Sequence, residues 1–170
     1  IVPYAFAMAT LISRQGDEEW IRTTRRWTLL PWFLLGTGQL LGGKWAYVVL
    51  GWGGYWGWDP VENAALLPWL TATAFLHSVM IQEKKGMLKV WNMVLILLTF
   101  TLCIFGTFLT RSGVVSSVHT FAQSPIGPWF LRYVVVIVLL STYFLWTRLP
   151  ILKSKNEYES PVSREGGFLL

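Results

Sequence analysis

Charged residues and cysteine are both scarce in this chain of 170 residues. Asp, Glu, Lys and Arg make up 14% of the sequence and hydrophobic residues 54%, whereas an ordinary soluble domain carries about 25% charged residues. The one cysteine, Cys103, excludes both an internal disulfide and a CxxC redox motif. A glycine-rich phosphate loop, an HExxH motif and a Ser/His/Asp triad are also absent, so nothing favours a hydrolase. The composition predicts a membrane protein.

Long apolar runs make up most of the sequence. A spanning helix needs about 20 predominantly apolar residues, and four stretches approach that length: residues 27–43, 60–81, 88–109 and 129–149. Residues 1–12 are apolar but too few to span, and we expect the chain to be a segment of a longer protein. We predict an all-α, polytopic transmembrane helical bundle with about four full spans plus a partial first span, forming one membrane domain over residues 1–170.

Basic residues are distributed unequally among the connectors between these stretches. Eleven of the 14 Lys and Arg residues lie on every second connector: before the first stretch, between the second and third, and after the fourth. The other three are Lys44, Arg111 and Arg132. Because short loops rich in Lys and Arg stay on the cytoplasmic side of a membrane, residues 44–63 and 110–128 are predicted to lie on the outer face. The net charge of +5 is thereby explained by membrane topology, and no nucleic-acid partner is expected.

Four aromatic side chains alternate with glycines in the segment WGGYWGWDPVEN, residues 52–63. Each glycine costs a helix interior roughly 1 kcal/mol, so the aromatic run is not predicted to be helical. It is either an interfacial belt that anchors a membrane helix or a binding surface for a flat apolar molecule. The density of rings and the glycine spacing favour the binding surface. We call these four rings the aromatic platform: Trp52, Tyr55, Trp56 and Trp58.

A helix is predicted to begin directly after the platform. Asp59 stands at the N-cap position, Pro60 at the first helical position and Glu62 at the third. This pattern is typical of a capping box, in which the two carboxylates bond free backbone N–H groups at the helix start. Capping explains the spacing of the carboxylates, so acid/base catalysis by the pair is not expected.

The chain has two histidines, and His77 lies deep within the second apolar stretch. At about 1.5 Å per residue it stands roughly 25 Å from the outer end of a helix that begins at Pro60. An ionisable group at that depth usually faces a partner, a cavity or a cofactor. Two interpretations remain open: a hydrogen bond to a neighbouring helix, or ligation of a haem iron.

The second histidine, His119, lies on the outer connector, on the same predicted side as the aromatic platform. It is either a solvated loop residue or an iron ligand for a planar, metal-containing ring that stacks on the platform. Arg111, at the start of the same connector, is either a partner for a propionate of such a ring or an interfacial anchor at a helix end.

Residues 52–63 resemble the tryptophan-rich "WWD" signature of the haem-handling membrane proteins of cytochrome c biogenesis. Three further segments narrow the resemblance to the CcmF branch of that family: residues 75–78 (FLHS), 106–113 (GTFLTRSG) and 117–122 (SVHTFA). Residues 22–27, 44–47 and 163–169 also fit, so the resemblance covers essentially the whole chain.

The resemblance implies a subunit of a cytochrome c haem lyase, which joins the vinyl groups of haem to the cysteines of a CxxCH apocytochrome c. It implies a bacterial cytoplasmic membrane, or an organellar inner membrane, with the WWD segment on the periplasmic or outer side. The implied partners are a haem chaperone carrying haem, apocytochrome c, other cytochrome c maturation membrane subunits and membrane lipid.

The resemblance also assigns roles to the candidate residues. His77 corresponds to an axial ligand of a resident b-type haem (haem b), and His119 corresponds to an outer-face ligand of the delivered haem. The second ligand of each haem is expected outside this chain. The platform rings, together with Asp59 and Arg111, complete the predicted haem-binding set. Two alternatives stay open: a haem transporter without ligation activity, and a structural membrane subunit.

Overall fold

The computed structural model describes residues 1–14, 18–119 and 125–152. Within those ranges the chain contains α-helices and no β-strand, which confirms the predicted all-α class. The α-helices are α1 (Val2–Ser13), α2 (Glu18–Trp45), α3 (Pro60–Lys85), α4 (Lys89–Ser112) and α5 (Gly127–Arg148). A π-helical turn, Ala46–Leu50, follows α2, and a 3-10 turn, Leu149–Leu152, follows α5. The polar tail and residues 120–124 and 163–169 lie outside the described residues.

Three helices are long and apolar enough to cross a membrane: Pro60–Lys85, Lys89–Ser112 and Gly127–Leu152. They correspond to the second, third and fourth predicted spans. The first predicted span lies within α2, which has the required length of 28 residues but is not among the three. Glycine, threonine and glutamine dilute its apolar part, and arginines occupy its first turns. The described chain therefore has three helices of spanning character rather than four, with α1, of 12 residues, as the short apolar helix.

Apolar packing between α3 and α4 forms the centre of the bundle. Phe75 and Val79 of α3 and Met93 and Ile96 of α4 are all buried there. Helix α2 packs beside α3, and α5 packs beside α4. The short helix α1 contacts α2, α4 and α5, so it completes the same core.

Polar side chains join the helices at the end of the bundle where α3 ends. Buried Asn92 of α4 donates from Nδ2 to Gln82 Oε1 at 2.7 Å and accepts from the hydroxyl of Ser78. Arg25 of α2 forms an ion pair with Glu83 of α3, with 2.7 Å between Nη1 and Oε2. Such bonds fix the register of neighbouring helices, because an unpaired polar group inside an apolar bundle is costly.

The bundle has two chemically different ends. The Arg25–Glu83 ion pair brings the beginning of α2 to the end of α3, close to the Lys-rich turn between α3 and α4. We call this the basic end. A hydrogen bond from Ser117 to Asp59 joins the loop after α4 to the beginning of α3 at the opposite end. We call that the platform end, because the aromatic platform directly precedes Asp59.

Candidate functional site

The capping box predicted at the start of α3 is present. Asp59 Oδ2 accepts a hydrogen bond from the Val61 amide at 2.9 Å, and Glu62 Oε2 accepts one from the Asp59 amide at 3.2 Å. Glu62 Oε2 also accepts from the Gly57 amide at 3.0 Å. Glu62, in the first turn of α3, therefore bonds the backbone on both sides of Trp58 in addition to its part in the capping box.

Trp58 has an unusual backbone conformation for a large residue. Its φ is +54°, in the left-handed region, which costs a non-glycine residue roughly 1–2 kcal/mol. Asn63 Nδ2 donates to the Trp58 carbonyl oxygen at 3.3 Å and so helps to hold this conformation. The side chain is 73% exposed. Conformations of this kind, imposed by their surroundings, occur frequently at binding sites.

The platform rings do not form one flat surface. Trp56 and Trp58 are perpendicular, with 88° between their planes and 6.1 Å between their centroids. Tyr55 turns towards α2 and stacks on Tyr47, with centroids 4.7 Å apart. The left-handed Trp58 and the intervening glycines change the chain direction, so the planes of the rings lie at different angles.

The structure brings His119 against both the platform and the start of α3. Its imidazole meets the Trp52 ring edge to face, with 5.6 Å between centroids and 86° between planes. Its Nδ1 lies 3.1 Å from Asp59 Oδ2. Ser117 donates from its hydroxyl to the same carboxylate oxygen at 2.7 Å and accepts from the His119 amide at 2.9 Å. The side chain of His119 is 22% exposed and that of Asp59 is 11% exposed.

Asp59 is ionised at neutral pH. Burial by itself would raise its pKa, but hydrogen bonds from Ser117, from the Val61 amide and from His119 outweigh burial. When the His119 ring is protonated, its charge acts in the same direction, and the pKa of Asp59 lies below the ordinary value of 3.8. The sequence pattern indicated only the capping role of Asp59. Its contacts with Ser117 and His119 join segments about 60 residues apart, which local spacing does not reveal.

An apolar cleft opens beside the platform, between α2 and α3. Its volume is about 540 Å³, which is within the range of small-molecule sites. Trp32 and Trp69 stack within it, with centroids 5.6 Å apart and 13° between planes. The cleft is lined by residues of three segments: Trp32, Phe33, Gly36, Thr37, Gln39, Leu40 and Gly43 of α2, Tyr55 and Trp56 of the platform, and Trp69 of α3.

His77 is not part of this site. It lies on α3, roughly 25 Å along the helix from the platform end at about 1.5 Å per residue. Its side chain is exposed and forms no hydrogen bond or ion pair within the described residues. Arg111 lies in the last turn of α4, at the platform end, and its side chain is also exposed.

Two residues of the site were missed by the sequence analysis. Tyr47 belongs to the π-helical turn after α2, and only its stacking on Tyr55 assigns it to the platform. Ser117 stands two residues before His119, a spacing at which a serine hydroxyl commonly accepts from the later backbone amide. That local signal could have identified Ser117.

Comparison with known proteins gives consistent results along the chain. Residues 1–115 match the sequence profile of a family described as "Cytochrome C assembly protein". The chain is 49% identical over 170 residues to the cytochrome c-type biogenesis protein CcmF of Haemophilus influenzae, covering 99% of this chain and 26% of that protein. It is 46% identical over 145 residues to CcmF of Escherichia coli K12, covering 85% of this chain and 22% of that protein.

A solved structure named "Cytochrome c Heme Lyase CcmF" is also similar. Its TM-score is 0.76 at 42% sequence identity, and the match covers 99% of this chain and 25% of the solved one. The chain therefore spans about a quarter of the length of the relatives that it matches.

The contact between α2 and the platform can be tested with two adjacent glycines. A Cβ at Gly43 would lie 2.5 Å from the Tyr55 carbonyl oxygen, whereas a Cβ at Gly42 would have nothing within 4 Å. We expect Gly43→Ala to destabilise the full-length protein by about 1–3 kcal/mol, because the platform backbone must move away. Gly42→Ala should be neutral or stabilise by up to about 1 kcal/mol. Melting temperatures in detergent measure both, and equal effects would contradict this contact.

Proposed function

Because this chain belongs to the cytochrome c assembly protein family and is of the CcmF type, we propose that its platform end binds haem for covalent attachment to apocytochrome c. The observation that carries this proposal is that His119 contacts both the Trp52 ring and the Asp59 carboxylate. A metal-ligating histidine typically donates its other ring N–H to a carboxylate, as this geometry allows.

The residues at the platform end suit the different parts of a haem. Exposed rings, Tyr55 at 61% and Trp58 at 73%, offer apolar contact to the porphyrin face, and each aromatic pair contributes about 0.5–1.5 kcal/mol beyond the area buried. The ring nitrogen of His119 that does not face Asp59 is available to the iron. Arg111 is exposed at the same end and can form a charge-assisted bond with a propionate.

The proposed reaction adds a cysteine S–H group across each haem vinyl group. At each vinyl group the S–H bond breaks, one C–S bond and one C–H bond form, and the vinyl double bond becomes single, so the addition is redox-neutral. The role of this chain is to orient the haem so that the vinyl groups face the CxxCH segment of the apocytochrome. The solved relative is named a haem lyase, and that name supports ligation over delivery alone.

Haem delivery without ligation is the second candidate. The platform rings, whose planes lie at different angles, could hold haem without positioning it for bond formation. A coupling assay separates the two functions: the full-length protein is mixed with a haem-loaded chaperone and a CxxCH peptide. Ligation predicts a covalent haem–peptide product, delivery predicts transfer without one, and a structural membrane subunit predicts no haem spectrum at all.

The proposed partners follow from this role. A haem chaperone supplies haem, apocytochrome c receives it, and other cytochrome c maturation membrane subunits contact the exposed apolar faces of the bundle. His77 is the proposed axial ligand of a resident haem b, and its exposed imidazole, which has no bonding partner among the described residues, fits that ligand type. When bound, that group supplies electron transfer; the part played by this chain is to present the imidazole from the apolar helix α3.

The proposed orientation places the platform end outside a bacterial cytoplasmic membrane, or outside an organellar inner membrane, with the basic end in the cytoplasm or matrix. Lys84, Lys85 and Lys89 lie at the basic end, which the preference of Lys and Arg for the inner side supports. This protein is an integral membrane protein by family and by its three apolar helices.

Loss of the proposed iron ligand should matter more than loss of one ring. In the full-length protein, His119→Ala is expected to abolish cytochrome c maturation, whereas Trp58→Gly should lower it a few-fold to about tenfold. Glycine relieves the positive φ at position 58, so a loss in that variant does not arise from backbone strain. Covalent haem stained in gels measures maturation, and added imidazole should partly restore His119→Ala. Normal maturation in His119→Ala would make His119 an ordinary loop residue.

The two histidines are expected to serve different haems. His77→Ala should remove or shift the optical bands of a resident haem b in the purified full-length protein, while His119→Ala leaves those bands in place. Assembly of both variants in the membrane should be close to normal, because neither side chain belongs to the buried core. An unchanged spectrum and redox potential in His77→Ala would exclude His77 as a ligand.

Orientation can be measured by labelling single cysteines in a full-length protein without other cysteines. Lys84 and Ser116 are both exposed and lie at opposite ends of the bundle. A membrane-impermeant maleimide added to intact cells is expected to label Ser116→Cys and not Lys84→Cys. Labelling of both after permeabilisation is the control, and labelling of Lys84→Cys from outside would reverse the proposed topology.

A further inference from the structure

We propose that Asp59 is the positioning residue of His119: it holds a hydrogen on Nδ1 and leaves Nε2 as the nitrogen that meets the iron. The same carboxylate thereby caps the N-terminus of α3 and orients the proposed haem ligand. This inference rests on the proposed function of the platform end, and it names the residue that prepares His119 for that function.

Hydrogen-bond chemistry determines which ring nitrogen of His119 carries the hydrogen. Nδ1 lies 3.1 Å from Asp59 Oδ2, and an ionised carboxylate can only accept hydrogen bonds. The hydrogen between them must therefore belong to Nδ1. In the neutral ring Nε2 is then unprotonated and has the lone pair that a metal requires.

The same carboxylate oxygen is already bonded to the helix start. It accepts from the Val61 amide at 2.9 Å and from the Ser117 hydroxyl at 2.7 Å, in addition to His119. The cap fixes Asp59 relative to α3, and Ser117 fixes the backbone of His119 by accepting from its amide at 2.9 Å. The ring is thus joined to a rigid helix terminus rather than to a loop alone.

Trp52 makes a second contact with the imidazole of His119. The two rings meet edge to face with 86° between planes, and Trp52 itself is held over Gly57, where an added Cβ would lie 3.0 Å from its six-membered ring. The hydrogen bond to Asp59 and the contact with the Trp52 indole together restrict rotation of the imidazole.

A purely structural role for Asp59, as helix cap only, makes different predictions. Capping needs one acceptor for the Val61 amide, and Glu62 supplies the other half of the box. Serine is as good an N-cap as aspartate, but its hydroxyl is one atom shorter. Asp59→Ser therefore keeps the cap and removes the contact with His119, whereas Glu62→Ala removes half of the capping box and leaves that contact in place.

The test uses haem-free, full-length protein with ¹⁵N-labelled histidine, reconstituted in lipid nanodiscs. Nitrogen chemical shifts report which nitrogen carries the hydrogen, and subtraction of the His119→Gln spectrum assigns the signal. The wild-type protein is expected to show hydrogen on Nδ1. Asp59→Ser should show a mixture or hydrogen on Nε2, while Glu62→Ala and Ser117→Ala keep it on Nδ1.

Titration with ferric haem gives the second readout. Loss of a carboxylate partner of a metal-ligating histidine typically lowers metal affinity by about 10–100-fold, so we expect a loss of that size in Asp59→Ser and a smaller one in Glu62→Ala. An unchanged tautomer in Asp59→Ser, or the same tautomer change in Glu62→Ala or Ser117→Ala, would overturn the positioning role.

The two proposals can fail separately. Wild-type protein with hydrogen on Nδ1 but no haem at the platform end would overturn the proposed function and still support the positioning of His119 by Asp59. A wild-type ring with hydrogen on Nε2 would overturn the positioning role, whether or not haem binds.

Discussion

A single carboxylate oxygen holds the platform end of this protein together. Asp59 Oδ2 accepts from the first turn of α3, from the Ser117 hydroxyl and from the His119 imidazole. Without it, Ser117 and His119 of the loop after α4 would lose their hydrogen bonds to the start of α3. The hydrogen bond that helps to keep His119 edge to face with Trp52 would be lost as well. The apolar bundle provides a stable base, but the placement of His119 relative to α3 depends on this oxygen.

The two ends of the bundle use polar groups for different purposes. At the basic end, Asn92 and Gln82 are buried and bonded to each other, so they contribute to helix register. At the platform end, polar groups lie beside exposed rings such as Trp58, and several atoms remain accessible. This difference is typical of a protein whose stability and binding are located in separate regions.

Local patterns in the sequence predicted local structure well. The spacing of Asp59 and Glu62 predicted the capping box and the start of α3, because those contacts involve neighbouring residues. The angled arrangement of the rings was not predictable, since it depends on the φ of Trp58 and on the distant partner Tyr47. Helix α2 has the length predicted for the first span but not the apolar character of the other three, because glycine, threonine and glutamine interrupt its apolar part.

The buried bond between Asn92 and Gln82 has a consequence for how the chain enters the membrane. Helices α3 and α4 are joined by only residues 86–88, and each would carry an unpaired amide side chain near its basic end if it entered the membrane alone. A polar group that is buried without a hydrogen-bond partner is costly. Insertion of α3 and α4 together, as a helical hairpin, pairs both amides when the two helices pack, and this pairing favours joint insertion.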